Sequence, residues 1–167
     1  FDGESYEYII LDASNKFKEL SNMKITDISE FFKVMSNVID RNFKILIYNQ
    51  KDLLYKIAEK SRTFQMVLKS IENSDIIIDV HSIAKEVLNI DIAPIEDLER
   101  YLKIQLRKVT LSQLRASYHR AMVKRSPKEL NELFEKAKRY SESNAYSTYI
   151  MYLILMNEEK RSHFTYN

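Results

Sequence analysis

Apolar side chains recur along this chain every three or four residues, the spacing that lines one face of an α-helix. Ile9, Ile10, Ala13, Phe17 and Leu20 mark a first helix over 6–20. Thr26 then offers an N-cap hydroxyl, and Asp27 and Glu30 put negative charge in the first turn, where the helix dipole favours it. The second helix carries Ile28, Phe31, Phe32, Met35, Val38 and Ile39, continues through Phe43, Leu46 and Ile47, and is expected to reach residue 48, with 40–42 as its weakest stretch. A third spans 51–72 through Leu54, Ile57, Phe64, Val67, Leu68 and Ile71, with Ser61 as its weak point.

The fourth segment, 74–89, contains a conflict. Ile76, Ile77 and Ile78 are three β-branched residues in a row, a strand signal. Ile83, Ala84, Val87 and Leu88 restore the helical period, and no second strand is evident to pair with the triplet, so a helix is expected. Residues 90–93 read as a linker, Pro94 suits a first helical position, and a fifth helix follows to about residue 108. Thr110-Leu111-Ser112-Gln113 matches a capping box for a sixth helix, with Leu111, Leu114, Tyr118, Ala121 and Met122 on its apolar stripe. Ser126-Pro127-Lys128-Glu129 is the sharpest local signal: Ser126 caps, Pro127 takes the first position, and Glu129 can reach back to the Ser126 N–H. Leu130, Leu133, Phe134, Ala137 and Tyr140 line the seventh helix, and a polar corner at 141–144 separates it from an eighth over 145–161.

The expected fold is therefore all-α: an orthogonal or superhelical bundle of about eight helices without a sheet, forming one domain over 1–167. Residues 90–94 are the junction if two sub-bundles form. Composition agrees, because the chain holds one glycine, Gly3, and two prolines. Glycine supplies the positive-φ turns of tight hairpins and phosphate-binding loops. Its scarcity points to helices joined by polar corners and excludes glycine-rich nucleotide cradles, so no cofactor is expected.

Charge changes the picture more. The net charge is +2, but residues 1–98 carry 12 basic and 17 acidic side chains, whereas 99–167 carry 14 basic and 7 acidic. From Arg100 to Arg125 there is no carboxylate, and Arg100, Lys103, Arg107, Lys108, Arg115, Arg120, Lys124 and Arg125 are all cationic. Arg100, Lys103 and Arg107 are expected to share one helical face, and Arg120 and Lys124 another. Such a stretch suits an acidic protein partner or nucleic-acid phosphates; the alternatives are a solvated surface or docking of the acidic N-terminal half. Over 145–156 the chain is apolar on every side, and its tyrosines include Tyr149 and Tyr152, so this helix is either core or an interface, including one between copies of the chain.

Candidate chemistry is sparse. His81, His119 and His163 fit no metal-ligand spacing, and Asp75 and Asp79, one turn apart on the expected fourth helix, are explained by its dipole. An acidic or metal site near Asp75, Asp79 and His81 ranks third among the functional readings. The absence of cysteine and of Asn-x-Ser/Thr acceptors fits an intracellular setting. The longest uncharged run, 143–157, is shorter than the ~20 residues a membrane span needs, so no transmembrane segment is expected. A chain that opens on Phe1 rather than methionine reads as a processed or partial one. The expectation is a non-enzymatic interaction or scaffold module, with nucleic-acid binding through the same cations as the alternative. Its contacts are placed at the eight cations named above and at Tyr149 and Tyr152.

Overall fold

A computed structural model of the chain describes residues 28–165 except Asn42, Asn73, Ala93 and 105–108. The expected first helix and the Thr26 cap lie outside the described residues. Among those described, the order is α1 (Ile28–Asp40), β1 (Ile45–Ile47), α2 (Lys51–Ala58), α3 (Arg62–Ile71), β2 (Ile77–Asp79), α4 (Val80–Leu88), α5 (Ile95–Tyr101), α6 (Leu111–Lys124) and α7 (Pro127–Thr165). The fold is predominantly helical, as the periodicity predicts.

Two strands depart from the expectation of no sheet. β1 and β2 pair in parallel, with Ile45 opposite Ile77, Leu46 opposite Ile78 and Ile47 opposite Asp79. α1 ends at Asp40, so the expected second helix stops short and frees Ile45-Leu46-Ile47 for pairing. Ile45, Leu46 and Ile47 of β1 and Ile77 and Ile78 of β2 sit well in extended backbone, and each strand is the other's pairing partner. The helices α2 and α3 form the crossover that a parallel pair requires.

Serine and asparagine corners also move the helix boundaries. Ser61 does more than weaken the third helix: its Oγ accepts the Phe64 N–H at 3.3 Å, and a new helix, α3, begins there. Conversely, 141–144 is no corner, because α7 runs unbroken through it. Ser143 donates its hydroxyl to the Arg139 carbonyl at 2.8 Å, a bond that a helix accommodates, and neither glycine nor proline is present to stop it. The scarcity of glycine does not confine the described backbone to negative φ. Asn49, Asn89, Lys103 and Arg125 are all left-handed, with φ of 50°, 52°, 58° and 47°. Asparagine tolerates this region; for lysine and arginine the cost is about 1–3 kcal/mol each.

The chain divides into two compact units, each described by itself. Of the first, the described part is 28–34 with 109–145; of the second, 35–104 with 146–165. In the first unit Ala121, Leu130, Leu133 and Phe134 form a buried cluster against which Leu114 packs. In the second, Tyr48, Val80, Ala84, Leu98, Met151 and Leu155 form the core, with Leu46, Ile83 and Tyr152 among the residues packed on it. Among the described residues no helix is long and apolar enough to cross a membrane.

The α7 face that enters the second core is testable. Leu155 is fully buried, whereas Leu153, two positions away, is 40% exposed. Leu155→Ala should cost about 2–5 kcal/mol in urea denaturation and Leu153→Ala less than about 1 kcal/mol. Equal losses would contradict this assignment of faces.

Candidate interaction surface

The first unit is built around a helical hairpin whose ends are set by local chemistry. Thr110 Oγ1 accepts the Gln113 N–H at 3.3 Å while Gln113 Oε1 accepts the Thr110 N–H at 2.9 Å, completing the expected capping box of α6. At the other end Arg125 turns left-handed and donates its N–H to the Ala121 carbonyl at 2.9 Å. Ser126 Oγ then accepts the Glu129 N–H at 3.3 Å, and Pro127 opens α7. The expected return of Glu129 to the Ser126 N–H is replaced by an ion pair, with Lys124 Nζ at 2.9 Å from Glu129 Oε1.

A polar hub stands beside the apolar cluster. The buried Ser117 hydroxyl accepts from Lys136 Nζ at 2.8 Å and from Arg120 Nη2 at 3.3 Å. Both cations also reach Glu132 Oε1, at 2.6 Å and 3.2 Å. Lys136, by hydrogen bond and by charge, and then Arg120 hold the Glu132 carboxyl below the ordinary carboxylate range. The sequence reading did not foresee this hub. The Glu132–Lys136 spacing of four is a readable helix pair, but Ser117 and Arg120 come from the other helix.

The cationic residues singled out in the sequence separate into three groups. Arg115, Arg120, Lys124 and Arg125 lie in the first unit on α6 and its C-cap. Arg100 and Lys103 lie in the second, where Arg100 pairs with Asp97 and Lys103 turns left-handed beyond the end of α5. These two therefore do not extend one helical stripe. Arg107 and Lys108 fall outside the described residues. On α6 the pair Arg120 and Lys124 is engaged by Glu132 and Glu129. Arg115 and Arg125, with Arg139 on α7, are exposed and make no ion pair among the described residues. Tyr118, expected on the apolar stripe, is 40% exposed and sets its ring edge-on to His119 at 5.9 Å, because only Ser117 and Ala121 of α6 are buried. Tyr152 packs on the second core, and Tyr149 is half-buried.

The Asp75, Asp79 and His81 grouping also changes. Asp79 ends β2 and caps α4, so Asp75 and Asp79 do not share a helix. Asp79 Oδ1 accepts the Asn49 N–H at 2.9 Å and the His81 N–H at 3.1 Å, so its carboxylate serves as a backbone cap. His81 sets its ring against Tyr48 at 5.5 Å and brings Nε2 to 3.2 Å from Asp91 Oδ1 without completing a hydrogen bond. Tyr48 donates its hydroxyl to the Ile92 carbonyl at 2.5 Å, and Lys85 holds Asp91 at 2.8 Å, so residues 91 and 92 are tied to the end of β1 and to α4. Burial, then the carboxylates of Asp79, Asp97, Glu99 and Asp91, push the Tyr48 phenol well above its ordinary value. Among the described residues no three His, Cys, Asp or Glu side chains gather as metal ligands.

No family model matches the chain, and no match was found among the curated proteins or the solved structures.

The hub carries a pH signature. Since the folded state depresses the Glu132 pKa, its contribution is present above the unfolded carboxylate value and is lost as pH falls through the lower folded value. Glu132→Gln should flatten the loss of stability below about pH 4 in thermal melts of the chain. Superimposable acid profiles for the two proteins would show that the hub contributes nothing.

Proposed function

We propose that the chain is a non-enzymatic helical interaction module that engages an acidic protein partner through the α6–α7 hairpin of its first unit. One observation supports this reading above the others: the hairpin carries positive charge that its own carboxylates do not match. Residues 109–145 hold 8 lysines and arginines against 4 glutamates. Two of those glutamates, Glu129 and Glu132, are paired within the hairpin, and Arg115, Arg125 and Arg139 have no ion-pair partner among the described residues. Unmatched exposed cations on rigid helices raise the rate of encounter with an acidic surface and set its orientation. The Arg120–Glu132 pair, exposed at both ends, is worth little to stability, about 0–1 kcal/mol, so Arg120 can exchange it for contacts with a partner.

A second reading, binding of single-stranded nucleic acid, is favoured by the exposed Tyr118 ring one turn from Arg115, an arrangement on which a base can stack. On that reading Arg115→Ala with Arg120→Ala weakens retention on mixed oligonucleotides at low salt, and absence of retention by the unmodified chain removes it.

Immobilised polyglutamate tests the leading reading. The chain should bind at low ionic strength and elute as salt screens the contact. Reversing Arg115, Arg125 and Arg139 to glutamate should weaken binding at least about tenfold, close to 1.4 kcal/mol. An equal charge reversal at the exposed Lys51, Lys60 and Lys69 of the second unit should have far less effect. Equal losses from the two triple variants would reduce the interaction to net charge and overturn the assignment.

A further inference from the structure

Resting on that reading of the hairpin, we propose that the outward face of α6 docks a helix of the acidic partner, seated along Ser112, Ala116, His119 and Val123 and flanked by Arg115. All four seam residues are exposed, and they are spaced four, three and four apart. That mean spacing of about 3.7, close to the helical period, sets the four side chains on one face of α6. α6 is joined to the rest of its unit on the other side, through the buried Ser117 and Ala121 and through Leu114.

Val123 carries the argument from charge to shape. It is 84% exposed, more than any other large apolar residue described. A β-branched residue is a poor choice for an exposed helix position, where it adds no propensity and leaves apolar surface in water. Its place beside cations is explained if an apolar side chain of the partner covers it. Charge determines what else the partner carries. α6 has no carboxylate, and its two α7-facing cations are already paired. Arg115, next to the seam, has no ion-pair partner among the described residues and occupies a position from which charged residues select a partner helix in coiled-coil packing. The complementary helix has aliphatic residues on its seam and glutamates or aspartates beside them. Nucleic acid would satisfy Arg115 but would leave Val123 uncovered.

Fluorescence anisotropy on the full 167-residue chain tests this with three labelled probes. These are a designed helical peptide with a leucine seam flanked by glutamates, a scrambled peptide of the same composition, and a 20-nucleotide single strand. The designed peptide should bind at least about fivefold tighter than its scramble. Val123→Ser should lower that affinity about three- to tenfold, Arg115→Glu at least tenfold, and Lys69→Glu, on α3 of the second unit, less than twofold. Circular dichroism and thermal melts of each variant confirm that the fold is retained; Val123 and Arg115 are exposed, so little change is expected. Equal binding of designed and scrambled peptides, or indifference to Val123→Ser, overturns the helix-docking inference, although general attraction to acidic ligands would survive. Preference for the oligonucleotide over both peptides assigns the face to nucleic acid. Failure of every acidic probe at low salt overturns the interaction reading itself.

Discussion

A left-handed arginine turns the corner on which the first unit depends. Arg125, at φ 47°, closes α6 onto the Ala121 carbonyl and hands the chain to the Ser126 cap and Pro127, from which α7 starts. Only with that reversal do Leu130, Leu133 and Phe134 meet Ala121, and only then do Glu129 and Glu132 reach Lys124 and Arg120. Glycine would adopt this conformation with less strain, but it would leave Lys124 as the one cation at the end of α6, where the helix dipole favours positive charge. The corner therefore serves two purposes: it folds the hairpin and adds an exposed charge to it.

The hairpin keeps its apolar packing and its exposed charge on different faces. Its apolar cluster and the buried Ser117 hydroxyl lie between the helices, where desolvation makes packing and hydrogen bonds count. Its unmatched charges lie outside, where water and salt weaken them and where a partner can reach them. The second unit arranges its charges differently. There Asp79 caps backbone, Asp91 is held by Lys85, and Tyr48 donates to the Ile92 carbonyl. These groups hold the chain segments that follow the strands.

Local chemistry was legible in the chain, and long-range pairing was not. The caps at Thr110 and Ser126 follow from side chains that satisfy N–H groups within three residues, so inspection of the sequence finds them, whereas Ser61 reads there as a weak point of one long helix and is a cap in the structure. The sheet escapes such inspection because Ile45 and Ile77 are far apart in the chain and each triplet alone is too short to declare itself. The continuity of α7 was hidden by the polar run 141–144, which resembles a corner but contains no residue that stops a helix. For the candidate surface, the cations were visible and their partners were not. Arg120 and Lys124 are paired with carboxylates on another helix, whereas Arg115 makes no ion pair among the described residues. Tyr118 appeared to belong to the core because it falls on the apolar stripe, but the small Ser117 and Ala121 carry the burial of α6 instead.

We propose that recognition resides in the exposed positive charge of the α6–α7 hairpin. The most direct test is amide chemical-shift mapping of the isotope-labelled chain titrated with an acidic polypeptide at low salt. Shift changes should concentrate in 111–139, centred on Arg115 and Arg125, and should reverse when salt is added. Changes concentrated instead in 45–104 of the second unit, or none anywhere in the chain, would contradict the proposal.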